Sequence, residues 1–161
     1  PFRQEPLVST LEAYFQGKKD LFGGLAMERW EKDWESYLVL HIDFSLTKYM
    51  ELTDLTGQLN LFLHRWEKIY GKDEAEKTAS ERLQGIILRA SEQIGKQVVV
   101  LIDEYDAPLL DSNSDTALQQ QLRNEMRKFF SPPQEVGAVS SLSLHHRHQQ
   151  VQPTEHLQRT E

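Results

Sequence analysis

The stretch "KQVVVLIDEYDAPLL", residues 96–110, constrains this chain more than any other. Val98 to Ile102 is an unbroken apolar run that stops abruptly on Asp103 and Glu104. A run without alternation belongs to a strand covered on both faces, and such strands lie in parallel sheets flanked by helices. Acids emerging at the carboxyl end of the strand stand where open α/β sheets bind their ligands.

The flanking periodicities agree with that architecture. Leu7 to Phe15 carries apolar residues at helical spacing, with Gly17 placed as a stop, and "LVLHIDF" at 38–44 reads as a short strand. From Leu52 to Tyr70 the set Leu52, Leu55, Leu59, Phe62, Leu63, Trp66, Ile69 and Tyr70 follows the helical period up to Gly71. Ser80 is the expected cap of a further helix running through Leu83, Ile86, Ile87 and Ala90 to Gly95. Pro108 opens a loop in this reading, and Ala117 to Phe130 forms a last helix. Helix, strand, helix, helix, strand, helix predicts an α/β fold, a parallel sheet with helical crossovers.

After Ser131 the character changes. Residues 132–161 are crowded with Gln, His and Ser and show almost no apolar periodicity, so disorder is expected there. The formal net charge of −7 argues against a general electrostatic grip on nucleic acid or anionic membrane. Cys is absent, which removes disulfides and thiolate metal sites. No apolar stretch reaches membrane-spanning length and no signal peptide opens the chain, so no membrane is expected and the expected location is cytoplasmic.

An Asp-Glu pair at the exit of a buried strand has a defined use in phosphoryl transfer. The first acid holds Mg²⁺, usually through water, and the second orients or deprotonates the attacking water. Asp103 and Glu104 fit those roles; two solvated acids opening a loop is the other reading of the same residues. A site of this kind needs a phosphate cradle upstream, yet no G-x-x-x-x-G-K-[ST] string occurs.

The longer context narrows the choice. "VVVLIDEYDAPLL", taken with "LEAYFQGKKDLFGGL", "LVLHIDFS" and "RNEMRKFFS", resembles the AAA-ATPase-like family of bacterial P-loop proteins over roughly Leu7 to Ser131. The resemblance implies a P-loop NTPase-like sheet, incomplete here, with ATP and Mg²⁺ as cofactors. It implies Asp103 as the Mg²⁺-associated acid and Glu104 as the catalytic acid, with Tyr105, Asp106 and Pro108 as parts of the signature. Asp43 of "HIDFS" also matches a family position, although an acid capping the turn after its strand is the reading its residues favour. Family members often continue into a PD-(D/E)XK nuclease-like domain, absent from this sequence.

The family places a string like R-F-G-K-S before the helix that begins here with "LVSTLEAYF". This chain reads Pro1-Phe2-Arg3-Gln4-Glu5-Pro6 there. Gln4 stands where a Lys should meet the β- and γ-phosphates, and Glu5 where a hydroxyl should bind Mg²⁺. Glu5 would repel phosphate from a helix N-terminus that should attract it. Written as the codons CCG TTT CGG CAA GAG CC and read one nucleotide later, the same stretch becomes Arg-Phe-Gly-Lys-Ser. His146 to Thr160 can be encoded so that the same offset gives Thr-Gly-Ile-Asn-Lys-Phe-Ser-Gln-Leu-Ser-Ile-Phe-Ser-Glu-Leu, resembling the family's next strand and loop. The expectation is a partial AAA-ATPase-like domain at 1–131, with 1–6 an out-of-frame remnant of the P-loop. The tail at 132–161 is expected to be out of frame as well.

Three functions follow in order. The first is a fragment of a P-loop ATPase domain that as written binds neither ATP nor Mg²⁺ well and is inactive. The second is a non-catalytic nucleotide-binding or protein-interaction module. A two-metal nuclease using Asp43, Asp103 and Glu104 ranks last, since no D/E-x-K string follows these strands. His145, His146 and His148 form no expected metal tract, lacking a carboxylate or Cys partner. Trp30, Trp34 and Phe22 read as packing, and Lys18 and Lys19 as a solvated helix end.

Overall fold

The computed structural model describes residues 7–112, 114–131 and 140–143. Three parallel strands, β1 (Leu38–Asp43), β2 (Val98–Asp103) and β3 (Ser140–Ser143), form one sheet in that spatial order. β1 and β2 run in register from Leu38 opposite Val98 to Asp43 opposite Asp103. Parallel neighbours need long crossovers rather than tight turns. Helices α3 (Leu52–Tyr70) and α4 (Ala79–Ile94) connect the first pair, and α5 (Ala107–Asp111) and α6 (Thr116–Phe130) precede β3. The expected α/β class, with a parallel sheet and helical crossovers, is the architecture found.

Side chains alternate across a strand, so each strand serves two faces. Leu40, Ile42, Val98, Val100 and Ile102 join a core with Leu59 and Leu63 of α3, Ile86 of α4, and Leu122 and Met126 of α6. Val99 and Leu101 turn the other way and pack with Val8 of α1 (Leu7–Phe15). Burial on both faces is why residues 98–102 show no polar alternation.

Four details differ from the sequence reading. The first is in the tail, where disorder from residue 132 is corrected at Ser140–Ser143, whose backbone pairs with Val99–Ile102 as β3. The ladder is built from backbone N–H and C=O groups, which every residue here carries, and the open edge of β2 offers them partners. The rest of the expected tail, 132–139 and 144–161, lies outside the described residues. Second, Pro108 opens no loop; it is buried in the first turn of α5, where a missing N–H costs nothing. Third, a 3-10 turn at Lys19–Phe22 and a five-residue α2 (Ala26–Trp30) follow α1, both too short to leave a periodic signal.

The fourth concerns the cap of α4. Thr78, not Ser80, holds that place: its hydroxyl accepts from Glu81 N at 3.2 Å, and the Glu81 carboxylate accepts from Thr78 N at 2.7 Å. The T-x-x-E spacing closes this reciprocal box, and Ser80 has no acid at the matching offset. Thr78→Ala should therefore cost ~1 kcal/mol in urea unfolding. Ser80→Ala should stay within ~0.5 kcal/mol. Equal losses at the two positions would remove the box as the explanation.

Candidate functional site

Asp43 and Asp103 end β1 and β2 side by side, as register partners on strands whose backbones run about 4.8 Å apart. By alternation with Val99 and Leu101, Asp103 belongs to the face that carries α1, and Asp43 stands beside it on that face.

The direction of α1 follows from its contacts. Its last residue, Phe15, accepts from Tyr37 N at 2.7 Å, just before β1 begins. The two rings meet edge to face at 5.9 Å. Near its start, Val8 packs on Val99 and Leu101. The rise from Phe15 back to Val8 is ~10 Å, which matches the ~10 Å from the level of Val98 to that of Leu101. α1 therefore runs antiparallel to the strands, and its first turn faces the carboxyl edge of the sheet. No acidic residue occupies that turn. Arg3, Gln4 and Glu5, assigned to the phosphate-cradle position by sequence, lie outside the described residues.

The acids divide by role. Asp43 Oδ1 accepts from Ser45 N at 2.8 Å and caps the 3-10 turn Phe44–Leu46, the capping reading that its residues favoured. Asp103 Oδ1 accepts from Glu104 N at 3.0 Å. Glu104 has φ +51°, the one non-glycine residue with positive φ among those described. A left-handed backbone costs a residue with a Cβ ~1–2 kcal/mol, and such conformations cluster at functional sites. Its carbonyl accepts from Ala107 N at 2.9 Å, closing the turn into α5. The Tyr105 ring packs 6.0 Å from that of Phe130, so this signature residue anchors the turn to the core.

Behind the turn, Tyr49 is fully buried and donates from its hydroxyl to Phe44 O at 3.0 Å. Burial, with Asp111 nearby, pushes its phenol far above the ordinary value, so it acts as a fixed donor. Tyr49 N donates to Asp111 Oδ2 at 3.2 Å, tying the exit of β1 to α5.

Two buried polar atoms beside the site have no hydrogen-bond partner among the described residues: Asp106 Oδ1 and His41 Nε2. Such atoms cost ~1–3 kcal/mol each and call for an explanation. His41 sits two residues before Asp43 on the same face, opposite Leu101, and the sequence reading did not single it out. A polar residue inside the apolar run "LVLHIDF" was the available signal.

Among the described residues no three potential ligands gather as a metal cage. Asp43, Asp103 and Glu104 therefore do not assemble the cluster that a two-metal nuclease requires. Mg²⁺ makes a smaller demand, since it takes one or two carboxylates and fills its shell with water and phosphate oxygens. Asp103, with one oxygen on Glu104 N and the other without a hydrogen bond among the described residues, fits that demand. No described helix is long and apolar enough to cross a membrane.

The family model described as a predicted AAA-ATPase matches residues 4–142, reaching β3 and beyond the Leu7–Ser131 stretch. The chain is also 31% identical over 132 residues to the uncharacterized protein in the vnfD 5' region of Azotobacter chroococcum mcd 1. That alignment covers 81% of this chain and 25% of the relative, so the chain spans about a quarter of the relative's length. No solved structure matches it.

Proposed function

The chain belongs to the predicted AAA-ATPase family, and on that footing we propose that it carries the Mg²⁺-and-water half of a P-loop ATPase site. One observation carries this reading: the first turn of α1 and the Asp103 carboxylate meet the carboxyl edge on the same face of the sheet. A helix N-terminus there favours phosphate through its unpaired N–H groups and its dipole.

In this reading Asp103 would hold the metal of a Mg-nucleotide, directly or through water, by the carboxylate oxygen that has no hydrogen bond among the described residues. Glu104 would orient or deprotonate the water that attacks the γ-phosphate. Mg²⁺, when bound, offsets the charge on the β- and γ-phosphate oxygens. The left-handed turn at Glu104 fixes where its side chain leaves the strand, and Tyr105 and Pro108 hold that turn against the core.

We further propose that the chain as written is inactive, with both ends read out of frame. Gln4 and Glu5 cannot supply the charge and hydroxyl that the phosphates and metal require. Phosphate release with Mg-ATP should therefore be no faster than in the Asp103→Ala, Glu104→Ala double variant. Turnover that disappears with Glu104→Ala alone would overturn the inactivity and keep the site. Tight Mg-ATP binding without turnover would favour the non-catalytic nucleotide-binding module instead.

A further inference from the structure

The segment "EKDWESY", residues 31–37, crosses from α2 to β1 without helix or strand. Glu35 N donates to Asp33 O at 2.6 Å, a tight turn around Trp34 that gathers Glu31, Asp33, Glu35 and Tyr37 about one hollow. With Tyr14 and Trp34 they line an open recess of about 380 Å³. Tyr37 adjoins the amino end of β1, so the recess is at the opposite end of the sheet from Asp103.

The aromatic walls are held in place. Tyr14 and Trp34 meet at 5.7 Å and 66°, forming a corner. Phe22, buried, backs Trp34 at 5.1 Å, and Phe15 backs Tyr37. Gly17, with φ +70°, permits the close approach, since a Cβ there would lie 3.2 Å from Trp34 O. The carboxylates are tethered as well. Tyr14 Oη donates to Glu31 Oε2 at 2.6 Å, and Tyr37 Oη donates to Glu35 Oε2 at 2.9 Å. The bond from Tyr14 pulls the Glu31 carboxyl below its ordinary range, so it is ionised at neutral pH.

Three carboxylates thus surround an aromatic recess, and none of them pairs with a Lys or Arg among the described ion pairs. They do not converge as ligands to one metal ion would. The geometry points to an organic ammonium group as the ligand: ring faces attract its diffuse charge, and the surrounding carboxylates neutralise it. Anions are repelled, and a small hard cation gains nothing from the rings.

The full chain should be titrated with tetramethylammonium chloride, against sodium chloride at equal ionic strength, while the indole N–H signals are followed by NMR. The indole nitrogen of Trp34 is fully buried, so its resonance reports directly on the recess. A saturable shift of Trp34 with tetramethylammonium alone is expected, with Trp30 and Trp66 unmoved. Affinity should fall about tenfold in the Glu31→Gln, Glu35→Gln double variant, whose fold is checked by its unchanged Trp66 signal. A drift shared equally by both salts, or undiminished affinity in a folded double variant, would overturn the assignment. If that variant does not fold, the comparison of the two salts on the unmodified chain decides. The N-acetyl amide of trimethyllysine separates the sources: tighter binding than tetramethylammonium assigns the recess to a polypeptide side chain, and equal binding to a free amine.

Discussion

Replacing Arg82 by alanine is expected to lower the unfolding free energy by ~3–5 kcal/mol, the loss typical of stranding a buried charge. Arg82 of α4 grips Glu67 of α3 through two bonds, Nε to Oε1 at 2.6 Å and Nη2 to Oε2 at 2.9 Å. A third bond, from Nη1 to Asn60 Oδ1 at 2.6 Å, fixes the guanidinium plane. The side chains are 17% and 6% exposed, so the pair is largely withdrawn from water and Glu67 loses its main partner when the arginine is removed. Lys72 and Glu74, at 48% and 88%, form the contrasting case, and breaking that pair should cost ~0–1 kcal/mol. Arg82→Lys should restore only part of the loss, because an ammonium cannot fork across two carboxylate oxygens. Removing both charges, as in Glu67→Met with Arg82→Leu, should cost far less than Arg82→Ala alone. Urea unfolding of the four variants decides, and an Arg82→Ala loss below ~1 kcal/mol would mean that the pair is solvated.

The same pair gives the stability a pH dependence. The hydrogen bonds from Arg82 hold the Glu67 carboxyl below its ordinary value of 4.5. A depressed folded pKa stabilises the folded state above the unfolded value and loses that contribution as pH falls through the folded value. The contribution of Glu67 should therefore be complete above about 4.5 and decline in more acid solution. In Arg82→Ala that segment of the pH profile should flatten.

Neither this clamp nor the recess was legible from periodicity. Glu67 breaks the apolar stripe of α3, and its partner lies fifteen residues away on another helix. Nothing local links them. Leu55, Leu59, Leu63 and Tyr70 were legible because a helix buries one face at a fixed period. Val98 to Ile102 were legible because burial on both faces removes every polar residue. Asp103 was placed correctly at the carboxyl edge, since the end of that run is itself the end of the strand. The left-handed conformation of Glu104 had no local signal, because Glu is not a residue that favours it. β3 was hidden for a related reason: pairing with β2 rests on backbone groups, and the side chains of "SSLS" advertise nothing.

With both ends out of frame, as proposed, restoring the frame should turn a chain expected to bind nucleotide poorly into one that Mg-ATP stabilises. A Gly-Lys-Ser turn before Leu7 would bring N–H groups, a lysine and a hydroxyl to the first turn of α1. That turn already faces the edge where Asp103 stands. The restored tail would place an apolar strand and a Ser-rich loop after α6, where β3 now extends the sheet through four residues. Binding to the folded state alone adds RT ln(1 + [L]/Kd), about 2.7 kcal/mol at a hundredfold excess over Kd. At ~2–4 °C per kcal/mol for a chain of this size, melting should rise by roughly 5–11 °C with Mg-ATP. The unrestored chain should not shift. Asp103→Ala in the restored chain should remove most of the gain, because it takes away the metal ligand and leaves the turn intact. Glu104→Ala should keep the shift and abolish turnover, since an acid that acts on water contributes little to ground-state binding. A restored chain that folds yet melts at the same temperature with and without Mg-ATP would leave Asp103 and Glu104 as two acids opening a loop.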